Sequence, residues 1–145
     1  MKNHDRKFYL GYIYPFSGPE VGLHCTHMYF GTLTLEKLNL VKKRVNAFFR
    51  EAGGHVTMKR PIFDTPSQWG DPKRWQRVLL ARNAEVFHPM KPLRDFFGEM
   101  NMISTRYPFQ PHVTTGELII DHKFSCYALV RSGHIEQAWN ITVTG

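Results

Sequence analysis

The longest helical period in the chain runs over Leu35, Leu38, Val41, Val45, Phe48 and Ala52, with Lys42, Lys43 and Arg44 set between the apolar positions. Apolar residues at three- and four-residue steps bury one stripe of a helix and leave the charges in water. Both ends are signalled. Thr34 is placed to cap the first turn, and Gly53-Gly54 can take the left-handed conformation that stops a helix. A second helical pattern covers Pro89–Met102, with Met90, Leu93, Phe96, Phe97 and Met100 on one side. Elsewhere Pro and Gly cut the chain into short β-prone runs. A long amphipathic helix must cover its apolar stripe with something, and here the only material is a sheet built from those runs. The chain is therefore read as α+β.

The runs are Phe8–Tyr14, Leu23–Thr32, His55–Phe63 and Trp75–Ala81, then a strand reached through the stiff segment Tyr107-Pro108-Phe109-Gln110-Pro111, then Phe124–Val130 and Ile135–Val143. The last two form a closing hairpin around Ser132-Gly133. Pro15–Gly22 and Asp64–Lys73 read as loops. The order is β, β, α, β, β, α, β, β, β, and it divides into two similar halves. No linker or low-complexity tract separates them, so residues 1–145 are read as one domain with two lobes.

Composition narrows the function. Hydrophobic residues make up 42% of the 145 residues and charged ones 21%, which is a globular balance and not a disordered one. The net charge of +7 points to an anionic partner: a nucleotide, RNA or an anionic membrane. Aromatics reach 14%, enough for base stacking as well as for a core. Cys25 and Cys126 form no C-x-x-C pair, which removes the zinc-finger reading. Two lone thiols suit a reducing cytosol, with one disulfide left open. The charged N-terminus lacks the apolar run of a signal peptide, and no stretch approaches the ~18 apolar residues of a membrane span. A soluble cytoplasmic protein without an obligatory protein partner is expected.

Two triplets carry the chemistry, His24-Cys25-Thr26 and His112-Val113-Thr114. Residues two apart on a strand point the same way, so each His shares a face with its Thr. An imidazole can move a proton while the hydroxyl donates to a non-bridging phosphate oxygen. Two such units facing each other supply both needs of phosphodiester cleavage: a neutral His as base and a protonated His as acid. No metal or other cofactor is needed. A third triplet, His55-Val56-Thr57, is present, and triplets alone do not choose among the three.

The neighbours do choose. His24 to Gly31 reads H-C-T-H-M-Y-F-G, and Phe109 to Thr114 reads F-Q-P-H-V-T. These stretches resemble the two signatures of the 2H phosphoesterase (LigT-like) superfamily. In the first, an H-x-T strand runs to a Gly before a helix; in the second, Pro often precedes the His. The element order along nearly the whole chain is similar as well, and His55 falls on an ordinary strand of that order. His27 departs from the pattern, which has an apolar residue there. It is read either as a buried His facing the first helix or as a residue swung into the groove by a distorted strand.

The resemblance implies a two-lobed fold in which antiparallel sheets line a central groove, with helices outside. It implies a metal-independent phosphodiesterase with His24, Thr26, His112 and Thr114 as catalytic residues. Within the superfamily the compact chain looks most like the phage enzymes that degrade the cyclic oligonucleotides of CBASS defence, which would place it in a host cytoplasm. The base-binding counterparts that this implies are Tyr12, Trp69 or Trp75, and Trp139, with Glu136 accepting from a base amino group. Lys73, Arg74 and Arg82 are candidates for phosphate contact. An RNA-end, 2′-5′ or 2′,3′-cyclic phosphate enzyme is the alternative within the same chemistry. A non-catalytic basic RNA-binding module is the alternative outside it. A metal site built from some of the eight His has least support, because neither helical pattern carries an H-x-x-x-H or E-x-x-H pair.

Overall fold

The computed structural model describes residues 7–15, 18–69, 76–114 and 123–145. Its strands are β1 (Lys7–Ile13), β2 (His24–Thr32), β3 (His55–Lys59), β4 (Phe63–Trp69), β5 (Gln76–Ala81), β6 (His112–Thr114), β7 (Cys126–Arg131) and β8 (His134–Thr144). Its helices are α1 (Leu35–Glu51) and α2 (Lys91–Glu99), with a 3-10 helix at Ala84–Met90 leading into α2. The chain is α+β, as the patterning predicts.

The first helix forms where its period and caps place it. The Thr34 hydroxyl accepts from the Lys37 N–H at 3.2 Å. At the far end the Gly53 N–H donates to the Arg50 carbonyl and the Gly54 N–H to the Phe49 carbonyl, at 3.1 and 2.8 Å. Both glycines have positive φ, 86° and 94°, so the last carbonyls are satisfied by a double left-handed closure. Val41, Val45 and Phe49 are the buried stripe.

Five strands form one sheet in the order β2-β1-β7-β8-β3, and three form another in the order β4-β5-β6. The small sheet is antiparallel throughout. The large one is not, because β3 runs parallel to β8. α1 leaves the β2 edge and delivers the chain to the opposite edge of the same sheet, so β3 arrives in the direction of β8. The expectation of purely antiparallel sheets is corrected on this point. The closing hairpin turns at Ser132 and Gly133, whose φ values of 48° and 86° are the paired left-handed residues of a tight hairpin turn.

Two further boundaries differ from the sequence reading. The strand expected over His55–Phe63 is broken at Arg60-Pro61-Ile62, and the expected loop at Asp64–Lys73 instead carries β4 as far as Trp69. Its polar residues suit an edge strand that leaves much of its surface in water, and an edge tolerates Pro66. The second helix is split: its first part, up to Met90, is 3-10 with Pro89 inside. It ends early, where Asn101 adopts a φ of 56°.

The main core lies between one face of the large sheet and the helices, and includes Leu10, Tyr12, Cys25, Val45, Phe97 and Tyr127. The other face carries a smaller apolar group of Ile13, Ala128 and Val130. No helix among the described residues is long and apolar enough to cross a membrane.

Candidate active site

β2 is an edge of the large sheet and β6 an edge of the small one, and the two edges lie against each other. The backbone N–H of His112 donates to the Cys25 thiol, whose pKa burial pushes up to about 12 while this bond opposes the rise. In both triplets the middle residue, Cys25 or Val113, is buried and its two neighbours are more open. Strand alternation therefore puts His24 with Thr26, and His112 with Thr114, on the outward faces of adjoining strands.

The two imidazoles are held alike. His24 Nδ1 lies 2.9 Å from the Gly22 carbonyl oxygen, and His112 Nδ1 lies 3.0 Å from that of Gln110. A carbonyl can only accept, so Nδ1 carries a proton in both rings. In the neutral ring Nε2 is then the basic nitrogen, and in the charged ring it is the acid. The Tyr9 ring stacks on His24, with centroids 4.9 Å apart and planes 23° from parallel. Gly11 makes room for this: a Cβ there would meet the Cys25 carbonyl oxygen at 2.8 Å and the Tyr9 ring at 3.1 Å.

A bulge follows the first triplet. Gly11 pairs with Thr26 and Leu10 with Met28, so His27 faces no partner on β1. An extra residue resets the alternation. Met28 turns into the core at 2% exposure, and Tyr29 takes the open side at 53%. His27 itself is buried. Its Nδ1 lies 2.6 Å from the Tyr127 hydroxyl, and the edge of Phe109 packs on it with centroids 5.0 Å apart. Burial first, and the nearby Arg94 cation second, lower its pKa to about 3, so the ring is neutral.

Beside the seam is a cavity of about 860 Å³, lined by Thr26, Tyr29, Gln68, Arg94, Tyr107 and His112 among others. Thus Thr of one triplet and His of the other line the same space, while His24 and Thr114 stand two residues along on the same faces. Arg94 reaches in from α2, where its guanidinium donates to the carbonyls of His27 at 3.4 Å and Tyr107 at 3.3 Å. These groups can move protons and hold an anion. Among the described residues no three His, Cys, Asp or Glu side chains gather as metal ligands do. Both cysteines are free thiols.

The expected base-binding residues fall elsewhere. Cys25, Tyr12, Tyr127 and Trp139 are successive partners across the sheet, one row on its core face. Tyr12 is fully buried against Phe87, Phe124 and Tyr127. Trp139 packs on Phe49 and donates from Nε1 to Asn46 at 2.8 Å, fastening α1 to the sheet. Glu136 pairs with Arg131 at 2.7 Å and Lys42 of α1 at 4.0 Å, so it too belongs to the helix side. Register for Tyr12 and Trp139, and the ion pairs for Glu136, put all three away from the groove, which corrects the expectation for them. Arg82 pairs with Asp64 at 2.9 Å. The Trp69 side chain and the whole of Lys73, Arg74 and Trp75 lie outside the described residues. His55 is on β3, the far edge of the large sheet, four strand spacings or roughly 19 Å from β2.

Tyr29 and Arg94 carry no local sequence signal for the site, and Tyr107 stands out only as part of a stiff approach to β6. Tyr29 has the wrong parity for a regular strand, and Arg94 looks like any solvated helix charge. Tyr107, an aromatic among prolines five residues before His112, was the one visible signal. No family model, curated protein or solved structure matches the chain.

Proposed function

We propose that the protein is a metal-independent phosphodiesterase of the two-histidine type, with its two sheets as the lobes of a 2H phosphoesterase fold. The observation that carries the reading is the repeated restraint on His24 and His112. Each Nδ1 is tied to the carbonyl two residues earlier, on strands that adjoin. Two imidazoles in the same tautomer, drawn from different sheets, are what paired acid and base catalysis needs.

In the reaction, Nε2 of the neutral ring takes the proton of the attacking oxygen, a ribose 2′-hydroxyl or water, as the new P–O bond forms. Nε2–H of the other, charged ring gives its proton to the leaving oxygen as the old P–O bond breaks. One proton is taken and one given, so the pair keeps its total charge, and exchange with solvent restores which ring is protonated. The Thr26 and Thr114 hydroxyls donate to the non-bridging oxygens, and the Arg94 cation in the cavity opposes their charge. A net charge of +7 favours approach of a polyanion. Cyclic oligonucleotide signals are the favoured substrates, and 2′,3′-cyclic phosphates or 2′-5′ linkages are open to the same chemistry.

The test is a panel of cyclic di- and trinucleotides, 2′-5′ oligoadenylate and 2′,3′-cyclic AMP, with and without EDTA. His24→Ala and His112→Ala are each expected to lower the rate by ~10²–10⁴-fold, the value of a proton transfer, and His55→Ala to leave it unchanged. Turnover abolished by EDTA would overturn the mechanism. Tight RNA binding with no turnover would make the chain a binding module.

A further inference from the structure

A second cavity, of about 750 Å³, is also lined by the Tyr107–Phe109 segment. It shares His27, Arg94, Tyr107, Pro108 and Phe109 with the cavity at the seam, so the two spaces abut along that segment. We propose that the second cavity holds the nucleobase of a nucleotide next to the one being cleaved, so that the substrate spans at least two nucleotides. The proposal rests on the phosphodiesterase reading and adds substrate length to it.

Three observations lead there. The first is chemistry. Pro108 and the half-buried Phe109 give the cavity open apolar surface, while Phe87 and Pro111, which also line it, are buried, and Tyr107 stands at it 68% exposed. Such surfaces suit the flat face of a base, which stacks on aromatic rings regardless of sequence. The second is charge. Away from Arg94 the charged lining residues are Lys91, which is paired with Asp95 at 2.6 Å, and Glu99. That part of the cavity is a poor phosphate site, but its carboxylates can accept from a base amino group. The third is the junction. Arg94 lines both cavities, and its guanidinium is oriented by a β2 carbonyl on one side and the Tyr107 carbonyl on the other. A guanidinium carries five N–H donors, so it can hold these carbonyls and still offer the paired donors that fit a phosphate. A phosphate at the junction would send one nucleoside into each cavity.

The size agrees. Each cavity falls within the roughly 300–1,000 Å³ of an ordinary small-molecule site, and a lone mononucleotide at the seam would leave the second one unused. Gly98 in α2 is shaped to this end of the molecule, since a Cβ there would meet the Thr105 methyl at 2.8 Å, and both residues line the second cavity.

The experiment compares kcat/KM for cyclic di-AMP and for 2′,3′-cyclic AMP in the wild type, in Ala84→Phe, which fills the second cavity, and in Tyr107→Ala. The ratio of dinucleotide to mononucleotide is expected to fall about tenfold or more in both variants, the size of a lost stacking contact. A ratio that stays within twofold of the wild type, whether or not the two rates fall together, would overturn the subsite. If the wild type cleaves neither these two compounds nor the cyclic trinucleotides and 2′-5′ oligoadenylate of the wider panel, the phosphodiesterase reading has failed on its own terms. The subsite is then read by calorimetric titration, where Ala84→Phe must weaken cyclic di-AMP at least tenfold relative to the mononucleotide for the proposal to stand.

Discussion

His27 is taken out of water by the Tyr12, Phe109 and Tyr127 rings, and its Nδ1 is hydrogen-bonded to the Tyr127 hydroxyl. A neutral buried imidazole has a consequence for pH. Its pKa is about 3 in the fold, against an ordinary 6.5. The unfolded chain therefore binds this proton first as the pH drops. The stability that His27 lends is complete above pH 6.5 and drains away as the pH falls towards 3, at up to ~1.4 kcal/mol per pH unit. Urea titrations at pH 7 and pH 5.5 are expected to show a larger loss for the wild type than for His27→Gln. Equal losses would mean that His27 is charged or exposed. At this scale the sequence shows which face of its strand His24 shares with Thr26, and His112 with Thr114, because strand alternation needs only two residues to be informative. It was a poor guide to Tyr12 and Trp139. A large aromatic looks the same whether it lines a groove or a core, and what decides between them is a hydrogen-bonded row across β2, β1, β7 and β8.

The elements were legible where local chemistry fixes them. Thr34, the glycine pair after α1 and the Ser132-Gly133 turn all do what their residue types predict. β4 was not, because its pairing with β5 is a tertiary fact and its polar residues resemble a loop. The bulge in β2 was not either. It depends on how β1 and β2 fit together, and Gly11 is part of that fit. Gly11→Ala would push a methyl group against the Cys25 carbonyl and the Tyr9 ring, so either β2 moves or Tyr9 leaves His24. A loss of about 1–3 kcal/mol is expected from the crowding, with a several-fold drop in kcat. Thr34→Ala is the control. It should cost about 1 kcal/mol of stability through the lost cap and leave kcat alone. Equal effects on kcat, compared at temperatures where both variants are folded, would remove Tyr9 and Gly11 from the site.

The whole molecule brings together two sheets at their edges, and the proposed site straddles that seam. The order of elements was visible in the chain apart from β4, but the expected division into two similar halves is corrected: the large sheet takes β1, β2 and β3 from one half and β7 and β8 from the other. The partners of those strands were not visible, because β1 pairs with β2 nearby and with β7 at the other end of the sequence. That second pairing sets a timetable for synthesis. While the chain is being made at about 5–20 residues per second, β1 has only one of its two neighbours until residues 126–131 emerge. Until then His24 sits on β2, whose partner β1 still lacks β7 on its other side. Ribosome-bound chains stalled before Cys126 are expected to be inert towards every phosphodiester that the released protein cleaves. The enzyme proposed here would thus stay off until β7 has joined β1.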